Sequence, residues 1–148
     1  MTKPTIPTES TATTQTVVLE RTFPHPPEKL WRALTQSRLL AQWLMNNDFE
    51  PEANRPFQFR ADPLPQWDGI IDCEVLLIDP PHSLSYTWNA LGLDSVVLFS
   101  LTPVPGGTHL RMEHSGFGPD NPAAYKGATY GWQKFLGNLD RLLAEDTQ

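Results

Sequence analysis

Few side chains in this 148-residue chain stand where they could do chemistry, and His114 is the first of them. Thr108, Leu110, Met112 and His114 alternate with His109, Arg111 and Glu113, so a strand here turns the imidazole toward its apolar face. An inward imidazole could orient a carbonyl or hydroxyl of a ligand, or act as a general base. The more ordinary outcome is a core histidine bonded to a backbone carbonyl or to Tyr86. Tyr86 and Trp88 face inward from another strand and bring an O–H and an N–H that need partners once buried. Cys73, also inward, reads as a small hydrophobe, because nothing beside it in sequence would activate a thiolate. Asp72 and Glu74 share a strand face and cluster with Asp62 and Asp68 around one hairpin. A solvated outer face explains them better than a catalytic carboxylate pair. His25, His82 and His109 fall in turns or on the outer face.

Other chemistries are excluded by pattern. Four scattered histidines and one cysteine give no CxxC or HExxH spacing, so no metal site is expected. No GxSxG elbow, P-loop or GxGxxG is present; no catalytic set and no cofactor are expected. A net charge of -6 without a Lys/Arg cluster argues against nucleic acid and against an anionic membrane surface. No apolar run approaches the roughly 20 residues of a membrane span, so no membrane insertion is expected. The lone Cys73 rules out an intrachain disulfide and fits a reducing compartment. Met1 to Gln15, rich in Thr and Pro, lacks the apolar segment of a signal peptide and reads as a solvated, poorly ordered tail. One domain, residues 16–148, and a cytoplasmic location are expected.

The elements that would position these side chains follow from periodicity. Val17 to Phe23 reads as a strand, stopped by Pro24-His25-Pro26-Pro27. Two short helices come next, Glu28 to Leu34 and one bearing Leu39, Leu40, Trp43 and Leu44, with Thr35 or Ser37 as the cap between them. Asn46 to Pro56 reads as a loop, Phe57 to Ala61 as a strand, and Trp67 to Ile78 as a longer strand with Ile71, Cys73, Val75 and Leu77 on one face. Leu84, Tyr86 and Trp88 mark a half-buried strand, and Val97, Phe99 and Leu101 the next. Gly106-Gly107 turns into the His114 strand. A glycine-hinged break, Ser115 to Pro119, precedes a long helix from about Asn121-Pro122, with Tyr125, Ala128, Trp132, Phe135, Leu136, Leu139 and Leu143 in one apolar stripe. An α+β layout follows, with the first strand pairing at the far end of an antiparallel meander.

Several segments carry a resemblance. They are Arg21-Thr22-Phe23 before a proline turn, Leu30-Trp31-Arg32-Ala33-Leu34-Thr35 followed by Ala41-Gln42-Trp43, and Asp79-Pro80-Pro81 ahead of Leu84-Ser85-Tyr86-Thr87-Trp88. Gly106-Gly107-Thr108, Glu113-His114-Ser115-Gly116-Phe117 and Gly131-Trp132 before Leu136 and Leu139 complete the set. In this order they resemble the START-like (SRPBCC), helix-grip superfamily, in the branch named after the activator of the heat-shock protein 90 ATPase. Arg55-Pro56 stands where that family often has Gly-Gly. The resemblance implies a curved antiparallel sheet of about six strands gripping the C-terminal helix, two short helices after strand one, and a hydrophobic cavity between sheet and helix.

Members of that superfamily mostly bind apolar small molecules, so a hydrophobic or aromatic small molecule is the expected partner. The residues expected to bind it are Trp31, Phe59, Val75, Tyr86, Trp88, Phe99, Met112, His114, Trp132 and Phe135, with His114 and Tyr86 orienting it. Core packing is the alternative for any one of them, as it is for Trp43. Two other functions remain open. A chaperone-interaction module would dock through Asp68, Asp72, Glu74 and Glu113. A cyclase- or hydrolase-type enzyme would depend on His114. A monomer and a homodimer fit equally.

Overall fold

The structure is a computed structural model describing residues 15–65, 67–118 and 122–145. Residues 1–14, most of the expected tail, lie outside the described residues, and Gln15 opens the first strand, β1 (Gln15–Phe23). Helices α1 (Pro27–Thr35) and α2 (Ser37–Trp43) follow. Pro27 begins α1 without penalty, because the first turn of a helix has no carbonyl to offer its N–H. The expected Thr35 or Ser37 cap does not form. Gln36 occupies the cap position with no side-chain bond, while Thr35 Oγ1 donates to the Trp31 carbonyl at 2.7 Å and Ser37 Oγ bonds Asn47. What holds these short helices is packing, together with the Trp43 indole N–H to the Ala33 carbonyl at 2.8 Å.

The remaining strands are β2 (Asn46–Asn47), β3 (Pro56–Arg60), β4 (Ile70–Asp79), β5 (Ser83–Ala90), β6 (Leu93–Val104) and β7 (Gly107–Phe117). They form one curved antiparallel sheet of seven strands in the order β1-β7-β6-β5-β4-β3-β2. The strand beyond six is β2, in a stretch that reads as loop, held to β3 by the pairs Asn46 with Arg60 and Asn47 with Phe59. As expected, β1 closes the far end of the meander, with Val17 opposite His114 and Phe23 opposite Thr108. Gly107 is required there, since a Cβ would lie 2.0 Å from the Phe23 carbonyl oxygen.

Two expectations about register fail. Strand β4 starts at Ile70, and between Val75 and Leu77 its pairing with β5 advances two residues for one, a bulge. Leu77 therefore turns outward and is 45% exposed, instead of following Val75 into the core. The glycine-hinged break also does not begin at Ser115: β7 runs through Ser115 and Gly116 to Phe117, with Ser115 paired to both Thr16 and Val96, and Pro119 lies outside the described residues.

Helix α3 (Pro122–Glu145) lies across the sheet and buries Trp132, Leu136, Leu139 and Leu143. Its C-terminal end is tied to the short helices. The Lys29 ammonium donates to the Leu143 carbonyl at 2.8 Å, and the Asn138 amide to the Trp43 carbonyl at 3.4 Å. Among the described residues, no helix is long and apolar enough to cross a membrane.

Candidate ligand-binding site

The space between sheet and α3 divides by side-chain size. Toward the C-terminal half of the helix it is filled. Phe59, Val75, Tyr86, Phe99, Met112 and Trp132 are each no more than 2% exposed, and Trp31 and Phe135 pack against them part-buried. Edge-on aromatic contacts lock this region, with Trp132 5.8 Å from Phe99 and 5.5 Å from Phe135 between ring centres. Toward the N-terminal half, α3 presents the small residues Ala123, Ala124, Gly127 and Ala128, while Tyr125 meets Phe117 at 6.0 Å between ring centres. A hollow of about 570 Å³ opens there, closed on the sheet side by Trp88, Ala90, Leu91 and Leu93 near the β5–β6 turn and by His114 and Phe117 on β7. That volume is in the range of small-molecule sites.

Of the ten residues expected to bind a ligand, Trp88 and His114 border this hollow; the other eight stand behind it in the packed region. The remaining lining residues were not singled out from sequence, apart from Ala128 as part of the helix stripe. The signal for them was the spacing of small residues at 123, 124, 127 and 128, one to two turns ahead of Trp132.

His114 is 2% exposed, and both its nitrogens are engaged. The Trp132 indole, which can only donate, gives its N–H to Nδ1 at 2.9 Å. The ring proton therefore belongs on Nε2, which donates to Ser95 Oγ at 2.8 Å. Ser95 in turn donates to the Trp88 carbonyl at 2.6 Å. This relay fixes Trp88 and Trp132 relative to one another, their rings 5.3 Å apart. Neither a backbone carbonyl nor Tyr86 is the imidazole's partner. Ser95 is not among the expected residues because apolar alternation marks this strand only from Val97; β6 begins at Leu93, which puts Ser95 in register with inward Val97, Phe99 and Leu101.

Burial lowers the His114 pKa to about 4, so the ring is neutral at physiological pH, and its Nδ1 lone pair is committed to Trp132. A general base needs that pair free. Tyr86 is fully buried among Phe49, Phe57, Phe59 and Phe99, and its hydroxyl finds no hydrogen-bond partner among the described residues. Burial pushes the Tyr86 hydroxyl and the Cys73 thiol pKa values well up, keeping both groups neutral. Among the described residues no group of three His, Cys, Asp or Glu side chains is placed to hold a metal. Another cleft of about 430 Å³, among α1, α2 and the end of α3, is lined by Arg32, Gln36, Arg38, Gln42 and Glu145 together with Leu39 and Leu142, a mostly polar and charged set.

Of the acidic residues expected on the outer face, Glu113 stands apart from the others. Asp72 and Glu74 are on β4, while Glu113 is on β7, with two strands between them, and is bonded to Arg111 at 3.1 Å. Arg111 also meets Glu20 at 2.9 Å, and Glu20 takes a 2.7 Å bond with His109. That bond is the main cause of the lowered Glu20 pKa. His109 is thus engaged on the outer face, His82 is exposed, and the half-buried His25 ring lies 3.3 Å from the Lys29 ammonium. Burial first, and then the Lys29 charge, lowers the His25 pKa.

Residues 24–144 match the family model described as Activator of Hsp90 ATPase homolog 1-like protein. The chain belongs to that family. It lies within the START-like (SRPBCC), helix-grip superfamily. Among solved structures it is similar to protein MLL2253 from Mesorhizobium loti, with 52% identity over 90% of this chain and 100% of that one and a TM-score of 0.85. Bacillus halodurans protein BH1534 is 27% identical over 88% of this chain and 99% of its own, with a TM-score of 0.75. CalU16 from Micromonospora echinospora, 19% identical over 89% of this chain and 78% of its own, has a TM-score of 0.75 and attests the fold alone. No curated protein matches the chain.

Proposed function

We propose that this protein binds a small, uncharged, apolar molecule in the hollow between the β5–β6 turn and the N-terminal half of α3, without chemistry on it. The observation that carries this is the hollow itself: at Gly127 an added Cβ would meet nothing within 4 Å, directly beside apolar Trp88, Leu93 and Phe117. Trp88 and Phe117 serve as walls, and His114 is a positioning residue acting through Trp132 and Ser95. The other expected residues, Trp31, Phe59, Val75, Tyr86, Phe99, Met112, Trp132 and Phe135, support the walls from behind.

The family description, activation of the Hsp90 ATPase, would call for a docking surface, and acidic residues split between β4 and β7 form no single patch. The enzyme reading needs a proton acceptor, and the one imidazole at the site has no free lone pair. The test is a titration with naphthalene, followed by tryptophan fluorescence, on the wild type and Gly127→Leu. Filling the hollow should weaken binding by at least roughly tenfold with Tm unchanged or raised. Equal binding by both proteins, or no binding by the wild type, overturns the proposal.

A further inference from the structure

The hollow has a neighbour. Leu64, Pro65, Trp67 and Asp68 wall a second, shallower groove of about 560 Å³, and Leu91 belongs to both. This groove is built rather than incidental: the Leu64 and Trp67 main chains bond each other at 2.8 and 3.0 Å, and the Trp67 indole donates to the Ile70 carbonyl at 3.0 Å. Leu91 between them is unusual in two ways. It is 71% exposed, and with Gly92 it forms a two-residue hairpin turn with both φ angles positive, +55° and +78°. Such turns favour Asn, Asp or Gly, because a leucine side chain crowds its own backbone there and offers no compensating hydrogen bond. Folding alone gives no reason for an exposed leucine in a strained backbone, whereas a contact made with a ligand does.

Resting on the proposed hollow, we infer that the bound molecule is longer than the hollow: an elongated, uncharged, apolar compound that passes over Leu91, its outer part lying between Leu64 and Trp67. Among the described residues no Lys or Arg lines either space, and Asp68 lines the groove while Asp94 flanks the same turn. Those carboxylates disfavour an anionic end.

The experiment compares three probes: naphthalene, sized for the hollow; N-phenyl-1-naphthylamine, neutral and longer; and its sulfonated relative, 8-anilino-1-naphthalenesulfonate. The wild type should hold the neutral long probe roughly tenfold more tightly than naphthalene or the sulfonate. Trp67→Ala, outside the hollow, should erase the advantage of length while leaving naphthalene affinity within about twofold, and Leu91→Asn, a residue the turn accepts, should erase the same advantage. Leu91→Asn should also leave Tm equal or higher. Long-probe affinity unchanged in both variants overturns the inference. So does a concentration-dependent self-association that Leu91→Asn abolishes without altering probe affinity, since the groove would then be a contact between copies. If naphthalene fails to bind but the long probe binds in a Leu91-dependent way, the groove stands and the inner hollow falls; if neither binds, both fall.

Discussion

The two halves of helix α3 have the same neighbour, one face of one sheet, and meet it differently. From Trp132 to Leu143 the inward positions hold Trp, Leu, Leu and Leu, all at most 2% exposed, and the helix end is pinned to α1 and α2. From Ala123 to Ala128 the helix carries alanine and glycine beside a single aromatic residue, Tyr125, which packs on Phe117, and the small residues share a hollow with Trp88, Ala90 and Leu93. What changes along the helix is the size of the side chains. Residue size along one stripe thus decides where a helix-grip fold is a core and where it is a container.

The largest expected effect lies at the border of the two regions. Trp132→Ala removes a packed ring and strands the His114 nitrogen, and should lower unfolding free energy by about 3–5 kcal/mol in denaturant titration. If the loss stays near 1 kcal/mol, the region called packed is not packed.

The pH response comes next. His114 in the folded protein has its pKa held down to about 4, while an unfolded histidine titrates near 6.5. The unfolded chain therefore takes up a proton that the folded one refuses. The stability from this group is complete above pH ~6.5 and is lost as pH falls toward 4, about 3 kcal/mol in all. Wild type minus His114→Gln, measured by denaturation at both ends of that window, isolates the effect from the carboxylates. Parallel pH dependence in the two proteins contradicts a buried, neutral imidazole.

Tyr86→Phe sharpens the picture of the packed side. It removes a buried hydroxyl without a partner and keeps the ring, so stability should hold or rise by about 1 kcal/mol. A loss would mean the hydroxyl is engaged. The smallest effect belongs to the hollow side: Gly127→Ala should gain roughly 0.5–1 kcal/mol from helix propensity, because the new methyl meets nothing. Destabilisation at Gly127 would mean the space is occupied.

Much of this architecture was legible in the sequence because alternation and helical spacing are long-range constraints on which face is wet. The inward set Leu84, Tyr86 and Val97, Phe99, Leu101 follows from period two, as does His114, and the pairing of β1 with β7 from the order of elements. Leu77 was misplaced because one extra residue at a bulge inverts every face beyond it, and no local residue type announces that. The expected cap between α1 and α2 failed because Ser37 found Asn47 ten residues on, a contact only tertiary structure supplies. The site was half legible. Large aromatic residues drew attention to the walls, yet a cavity is made by what is missing, and Ala124 and Gly127 look unremarkable until the sheet is placed opposite them.

The most direct measurement is a crystal structure of the protein soaked with 1-bromonaphthalene, the bromine located by its anomalous signal. The naphthalene ring is expected in contact, within about 4 Å, with Trp88, Phe117 and Gly127. Bromine found only outside that space, or Trp88 and Phe117 collapsed onto α3 with the hollow closed, would contradict it.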